Sequence, residues 1–358
     1  MGITAVAGLE VEDRVVLDTP FLLLHHYRKP LRGPEPAVLV VAPMSGHFGW
    51  LMRDTVLGLL PRHEVLLLEW KDAREVPVAA GRFDLDRTIS GVMDCVRLLG
   101  PGLTLLGVSQ SATTILAATA LMAAQNDPSR PCGLVLMGGF IDPRPRPTAV
   151  ERLVSSLPDG WFSRVLAGSV PDGDLGAGRR VYSARYHWQA LARYLARHML
   201  SGRELQRKTL ADDGADCDTF PFLRLYSTLM DLPVEFADDV ATRIFRQAHL
   251  ARGLLSWQGH AVEPAAIEDV ALMTVEGARD DSSGRGHTLM AHALAHRIPD
   301  ALREHHIEDE AGHFSLFHGR LWREAILPEV ETFIALAARQ CPVRVRRRAR
   351  PKDRHART

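Results

Sequence analysis

Short, largely apolar runs recur along the first 140 residues and are separated by stretches with helical periodicity. The runs lie at residues 37–42, 65–70, 103–108 and 133–137, after an opening pair of strands predicted within 15–27. The helical stretches lie at 54–60, 85–99 and 111–124. Runs of this length suit strands that are covered on both faces. Their alternation with helices predicts an α/β fold with a mostly parallel sheet and right-handed crossovers.

The alternation stops after residue 142 and resumes at the apolar run 270–275. The residues between show helical periodicity without a buried strand, which predicts an all-helical insertion between two core strands. Because ligands favour domain junctions, we expect this insertion to cap a binding site, with a separate helical domain as the alternative. The predicted division is an α/β core at 1–143 and 267–340, a helical cap at 144–266 and a basic, disordered tail at 341–358.

Charge is balanced over the whole chain but not along it. The 358 residues carry 43 Lys and Arg and 43 Asp and Glu, so no global field steers the protein toward nucleic acid. Residues 344–358 hold eight Lys or Arg against one Asp. Such a segment is typical of a disordered, solvated tail, and the alternative is an anchor for a surface or polyanion.

The cysteines and the apolar runs bear on the cellular compartment. Four cysteines lie far apart without a C-x-x-C pair, at Cys95, Cys132, Cys217 and Cys341. No run reaches transmembrane length, and the first residues do not have the pattern of a secretory signal. We therefore expect a cytoplasmic protein with reduced, mostly buried thiols and no transmembrane association.

The apolar run at 103–108 ends in a serine, Ser109, that has small residues two positions away on either side. A strand that delivers a serine into a tight turn before a helix is typical of a nucleophile elbow. The strained turn requires small neighbours, and Gly107 and Ser111 meet that requirement, although glycine is more usual at the second position. The alternative for this motif alone is an ordinary strand-to-helix turn.

Two later segments supply the partners that such a nucleophile needs. The apolar strand at 271–277 runs into a loop with Asp280 and Asp281, and His313 follows Gly312 in a loop before the last helix. The order serine, acid, histidine is that of α/β-hydrolases. We expect Asp280 to be the acid, because it lies three residues after Gly277, with Asp281 as the alternative. The pattern predicts a serine hydrolase with a Ser109–His313–Asp280 triad.

A further loop at 43–48 follows the first buried strand directly. In this fold that loop and the residue after the nucleophile each give one backbone N–H to the oxyanion, which indicates Ser45 (or Met44) and Gln110. For His47 we expect substrate contact or packing. The 16 histidines show no H-E-x-x-H or similar spacing, so we expect neither metal nor organic cofactor.

Several segments together resemble one family, the intracellular polyhydroxyalkanoate (polyhydroxybutyrate) depolymerases. They lie at 19–21, 41–48, 70–77, 81–85, 136–139, 230–236, 274–277 and 312–314. The resemblance extends from about residue 17 to residue 335 and includes the insertion. It implies an α/β-hydrolase fold, a stored 3-hydroxyalkanoate polyester as substrate, and action at a granule surface in the cytoplasm.

One position departs from that family. Many members carry a cysteine nucleophile with a proline two residues later, where this chain has Ser109 and Ser111. A serine nucleophile forms an oxygen ester that water can resolve with His313 as base, so hydrolysis is still expected.

Three aromatic residues are candidates for contact with the substrate. Phe140, Phe314 and Phe317 are candidates for an apolar slot around a polyester, with core packing as the alternative. Three other functions remain open: a general short-chain carboxylesterase, a catalytically idle granule-binding protein, and an acyltransferase. The sequence leaves the oligomeric state undetermined.

Overall fold

The computed structural model describes residues 5–6, 9–30, 35–189, 192 and 229–341, and its core is an eight-stranded sheet. Its strands are β1 (Glu12–Asp18), β2 (Leu22–Arg28), β3 (Ala37–Val41), β4 (Glu64–Trp70), β5 (Leu103–Val108), β6 (Gly133–Met137), β7 (Ala271–Gly277) and β8 (Arg303–Glu308). Their spatial order is β8-β7-β6-β5-β3-β4-β2-β1. Strands β3 to β8 pair in parallel, whereas β2 pairs antiparallel with both β1 and β4. The predicted mostly parallel sheet is confirmed.

Helices cover both faces of this sheet, and two further helices, α4 and α5, lie in the insertion between β6 and β7. The helices are α1 (Arg53–Leu59), α2 (Leu85–Leu99), α3 (Gln110–Ala124), α4 (Ala149–Ser156), α5 (Val234–Asp239), α6 (Met290–Leu294), α7 (Gly319–Leu321) and α8 (Leu327–Gln340). Alternate residues of β3 face opposite layers: Leu39 packs with α2 and α3, and Val40 packs with α1 and α8. This two-sided burial explains why the central strands are almost continuously apolar.

The described residues also contain shorter elements, among them a helical segment at 184–189 and a two-stranded ladder of Ala5–Val6 with Leu9–Glu10. The 3₁₀ turns are Gly49–Met52, Ala73–Glu75, Val78–Ala80, Pro264–Ala266, Asp300–Leu302 and Phe314–Leu316. The π-helical segments are Phe162–Leu166, Val240–Arg246 and Trp322–Ile326.

Edge strand β8 is absent from the sequence-based prediction. Its sequence, REHHIE, has one apolar residue and no buried position. Among the described residues it pairs with β7 alone, so it does not need the apolar run by which the central strands are recognised.

The insertion between β6 and β7 is mixed, so the prediction of an all-helical segment is wrong. Its described part contains α4, α5 and a three-stranded antiparallel sheet of Ala167–Ser169, Arg180–Tyr182 and Leu232–Pro233. A two-stranded ladder joins Ser256–Trp257 to His260–Ala261. Strands of two or three residues are too short to produce a period of two in the sequence, which is why the pattern did not reveal them.

Two of the four cysteines form a disulfide, which corrects the expectation of reduced thiols. Cys132, just before β6, is bonded to Cys341, just after α8, across a sequence separation of 209 residues. Cys95 is a free, buried thiol, as expected. Cys217 and the basic tail from residue 342 onward lie outside the described residues.

Reduction of this disulfide is expected to lower the free energy of unfolding by about 2–4 kcal/mol, because the bond restricts a long loop in the unfolded chain. Thermal unfolding with and without reductant measures the effect, and titration should find two additional thiols after reduction. The double variant Cys132→Ser/Cys341→Ser is the matched control, since its melting temperature should not respond to reductant. An equal response of the variant and the wild type would contradict the prediction.

Candidate active site

Ser109 lies in the turn between β5 and α3, in a backbone conformation that is unusual for a residue with a side chain. Its φ is 58° and its ψ is −122°, and its N–H donates to the carbonyl of Met137 at 2.8 Å. Strained turns of this kind present a side chain at the carboxyl edge of a parallel sheet. A Cβ at Gly107 would lie 3.0 Å from the backbone carbon of Ser111 and 3.1 Å from the backbone nitrogen of Ala112, so the turn favours glycine there.

Ser111 fixes this turn through its hydroxyl, a role that the sequence pattern does not reveal. Its Oγ accepts a hydrogen bond from the N–H of Val108 at 2.8 Å and lies 2.7 Å from the carbonyl oxygen of Val41. The side chain therefore links the elbow to the neighbouring strand β3. Glycine at this position could not make these bonds, which gives the departure from the usual pattern a structural reason.

His313 joins Ser109 to Asp280. Its Nε2 lies 3.1 Å from Oγ of Ser109, and its Nδ1 lies 2.8 Å from Oδ2 of Asp280. The other oxygen of Asp280 accepts hydrogen bonds from the backbone N–H groups of Ser282 and Ser283, at 2.8 and 2.9 Å. The structure thus brings the three predicted residues together in the order that nucleophile activation requires.

The protonation of His313 depends on two opposing effects. Burial alone would lower its pKa, but the adjacent Asp280 carboxylate, by charge and by hydrogen bond, raises the pKa above its usual value. An imidazole that carries a proton on Nδ1 for Asp280 has Nε2 free to accept the proton of Ser109.

The rate of ester hydrolysis is expected to fall on the acid side with an apparent pKa above 6.5, because protonated His313 cannot accept a proton from Ser109. The activity is at its full value above this pKa and is lost as the pH falls through it. Measurement of kcat/KM for p-nitrophenyl butyrate between pH 5 and 9, with circular dichroism at each pH, tests this. An acid limb well below 6.5 in a folded protein would contradict it.

A largely apolar cavity of about 330 Å³ opens onto Ser109 and His313. Six further residues predicted from the sequence line it: Ser45, His47, Gln110, Phe140, Phe314 and Phe317. Met44, the alternative to Ser45, also lines it, whereas Asp280 lies behind His313. The predicted oxyanion-donor and slot residues therefore surround one space together with Ser109, the predicted nucleophile.

The insertion forms much of the remaining wall of this cavity, with residues that the sequence pattern does not single out. They are Val150, Val154, Phe162, Tyr182, His187, Leu232, Phe236, Ala237, Val240, Ala241 and Phe245. The ring of Phe245 lies 4.8 Å from that of Phe140, edge to face, so insertion and core meet directly at the site. The 230–236 segment contributes to the family resemblance of the sequence, but the resemblance does not indicate which of its side chains face a ligand.

Glu276 holds the loops behind the site by hydrogen bonds, and no sequence pattern indicates this role. This buried carboxylate, at the end of β7, accepts hydrogen bonds from the backbone N–H groups of Gly286, Thr288 and Leu289 at 2.8 to 2.9 Å. The hydroxyl oxygen of Thr288 in turn accepts a hydrogen bond from the N–H of Gly139 at 2.7 Å. The carboxylate thus ties the loop that carries Asp280 to the end of β6.

Within the described ranges, no group of three or more His, Cys, Asp or Glu side chains is arranged to hold a metal ion. The same part of the chain contains no helix that is both long and apolar enough to cross a membrane.

The comparisons with known proteins agree with this architecture. The family model described as PHB de-polymerase C-terminus matches residues 138–338. Among solved structures, an epoxide hydrolase from Vigna radiata has a TM-score of 0.54 at 14% identity and covers 91% of this chain and 98% of its own. A monoacylglycerol lipase from Paleococcus ferrophilus has a TM-score of 0.52 at 13% identity, covering 89% and 99%. These likenesses establish the α/β-hydrolase fold. No curated protein matches the chain.

Proposed function

Because this chain belongs to the PHB de-polymerase C-terminus family, we propose that it hydrolyses the ester bonds of a stored polyhydroxyalkanoate such as poly-3-hydroxybutyrate. The observation that carries the proposal is the hydrogen-bonded series Ser109–His313–Asp280 at the wall of an apolar cavity. The family and the fold support ester hydrolysis in general. The polyester substrate and the mechanism are the more specific part of the proposal.

The first half of the proposed reaction forms an acyl-enzyme. Oγ of Ser109 attacks an ester carbonyl while Nε2 of His313 takes its proton, and Asp280 holds the imidazole and stabilises its positive charge. The backbone N–H groups of Gln110 and of Ser45 stabilise the oxyanion, each by about 3 kcal/mol. The tetrahedral intermediate then collapses as the C–O bond breaks, and His313 returns its proton to the departing alcohol end of the polymer.

The second half releases the acid. Water attacks the acyl-enzyme carbonyl and gives one proton to His313, the C–O bond to Ser109 breaks, and the proton returns to Ser109. The product is a 3-hydroxyalkanoate or its oligomer with a free carboxylate. No metal or organic cofactor is needed for these steps.

The composition of the cavity supports an aliphatic ester. Phe140, Phe314 and Phe317 from the core, with Phe236 and Phe245 from the insertion, give an apolar wall around the nucleophile. Transfer of the alkyl side groups of a polyester from water to such a wall lowers the free energy of the complex. We assign residues 144–266 as the cap and 1–143 with 267–340 as the hydrolase core.

The proposed place of action is the surface of a polyester granule in the cytoplasm. A segment as basic as residues 344–358 is attracted to acidic lipid or protein at such a surface through contacts that salt screens.

The deciding experiment compares two substrates for the purified protein. Native amorphous polyhydroxybutyrate granules and p-nitrophenyl butyrate are incubated separately, and 3-hydroxybutyrate or p-nitrophenol is measured, with the Ser109→Ala variant as control. We expect both substrates to be cleaved by the wild type and neither by the variant.

Each other outcome favours a different function. Cleavage of the soluble ester with intact granules would indicate a general carboxylesterase. Granule binding without cleavage of either substrate would indicate an idle binding protein. Transfer of the hydroxyacyl group to an added alcohol in preference to water would indicate an acyltransferase.

A further inference from the structure

The loop at residues 43–47, called here the oxyanion loop, is held by the insertion as well as by the core. The carbonyl of Gly46 accepts a hydrogen bond from the N–H of Met230 at 2.8 Å. The neighbouring His47 forms an isolated antiparallel bridge with Leu229. Two consecutive insertion residues therefore fix the backbone of this loop one and two residues after Ser45.

A third contact comes from another part of the insertion, the helical segment 184–189. The ring of His187 lies directly over Gly46. A Cβ built on Gly46 would be 2.8 Å from both Nδ1 and Cε1 of that ring, closer than real Cβ atoms come to other groups. Gly46 also has a φ of +88°, which only glycine adopts without strain. The loop thus has the one residue type that allows this ring to rest on its backbone.

The surroundings of His187 favour a role for its ring in packing over a role in proton transfer. Tyr182 packs against it edge to face with ring centroids 4.3 Å apart. Burial, and then the nearby His47, lower the pKa of His187 to about 3, so the ring is neutral at the pH of hydrolysis. Its Nε2 is buried and has no hydrogen-bond partner in the described parts of the chain.

We propose that His187 is a positioning residue. Its ring packs against Gly46 and keeps the backbone N–H of Ser45 directed at the carbonyl that Ser109 attacks. The oxyanion hole is then completed by the insertion, through His187 and the Leu229–Met230 backbone, and not by the core alone. This inference rests on the proposed esterase function. It adds that docking of the insertion and stabilisation of the transition state depend on the same contacts.

The first test replaces His187 and follows p-nitrophenyl butyrate hydrolysis. His187→Ala removes the ring and is expected to lower kcat by about 10- to 100-fold with KM nearly unchanged, because the lost interaction exists in the transition state. His187→Phe keeps an aromatic ring over Gly46 and should retain kcat within about threefold. The exposed Gln189, on the same helical segment, gives the control Gln189→Ala, which should match the wild type.

A second readout separates positioning from a general loss of structure. An alkyl boronic acid, which forms a tetrahedral adduct with an active-site serine, should bind His187→Ala more weakly by about the same factor as kcat falls, since both depend on the oxyanion hole. Inhibition by 3-hydroxybutyrate, a ground-state ligand, should change little. Melting temperatures are measured for each variant.

A double-mutant cycle with Gly46→Ala tests the contact itself. If the new Cβ meets the His187 ring, the loss in the double variant His187→Ala/Gly46→Ala must be clearly smaller than the product of the two single losses. Losses that simply multiply would overturn the proposal, as would an equal loss in His187→Phe and His187→Ala or a change confined to KM. A wild type without any esterase activity would refute the proposed function itself; an active wild type with an unaffected His187→Ala refutes only this inference.

Discussion

Replacement of Ser109 by alanine is expected to reduce kcat for p-nitrophenyl butyrate by about 10⁴-fold or more, because the variant lacks the attacking oxygen. That oxygen lies 3.1 Å from Nε2 of His313. Alanine retains the Cβ, so the strained backbone with φ of 58° costs the same in both proteins and the fold should be unchanged. Initial rates together with thermal melting measure the two effects separately.

Ser111, two residues away, provides a matched control. Its hydroxyl bonds to Val108 and Val41, not to His313. We expect Ser111→Ala to lower the free energy of unfolding by about 1–3 kcal/mol through the buried groups it leaves unpaired. The variant should nevertheless keep a working nucleophile. A folded Ser109→Ala protein with near wild-type turnover would exclude Ser109 as nucleophile.

Replacement of Asp280 by asparagine is expected to lower kcat by about 10⁴-fold, because an amide neither stabilises the imidazolium nor holds the tautomer that leaves Nε2 as acceptor. Removal of the negative charge also lowers the pKa of His313, so the acid limb of the residual activity should move to lower pH. The pH profile thus provides a second measurement besides the rate.

Asp281→Asn is the matched control for this prediction. It makes the same chemical change one residue away, and we expect kcat within about threefold of the wild type, because Asp280 is the residue whose carboxylate oxygen lies 2.8 Å from Nδ1 of His313. A larger loss in Asp281→Asn than in Asp280→Asn would make Asp281 the acid.

The local pattern of the sequence determined most of the core. Buried parallel strands are nearly continuous apolar runs, so β3, β5 and β6 were predicted within one or two residues of their ends. The carboxyl ends of parallel strands meet at one edge of the sheet. Ser109 and the loop with Asp280 follow two such strands, whereas His313, 204 residues after Ser109, is assigned to the same site by the chain order serine, acid, histidine.

The choice between Asp280 and Asp281 shows where sequence reasoning ends. Both follow the same strand, and a shift of one residue in the loop would exchange them. In the structure the carboxylate of Asp280 is turned toward His313 while its other oxygen is held by Ser282 and Ser283. That orientation depends on how the whole loop folds, and the spacing from Gly277 only favoured it.

By itself, then, the sequence determined the α/β core, the strand-to-helix turn at Ser109 and the chain order of the proposed nucleophile, acid and histidine, because periodicity and turn chemistry are local properties. Only the tertiary structure decided that the insertion contains strands, that Cys132 meets Cys341, and that His187 rests on Gly46. Each of these depends on packing between segments distant in sequence, where side-chain shape and burial select the neighbours. A single sequence without its folded contacts carries no local signal for such pairs.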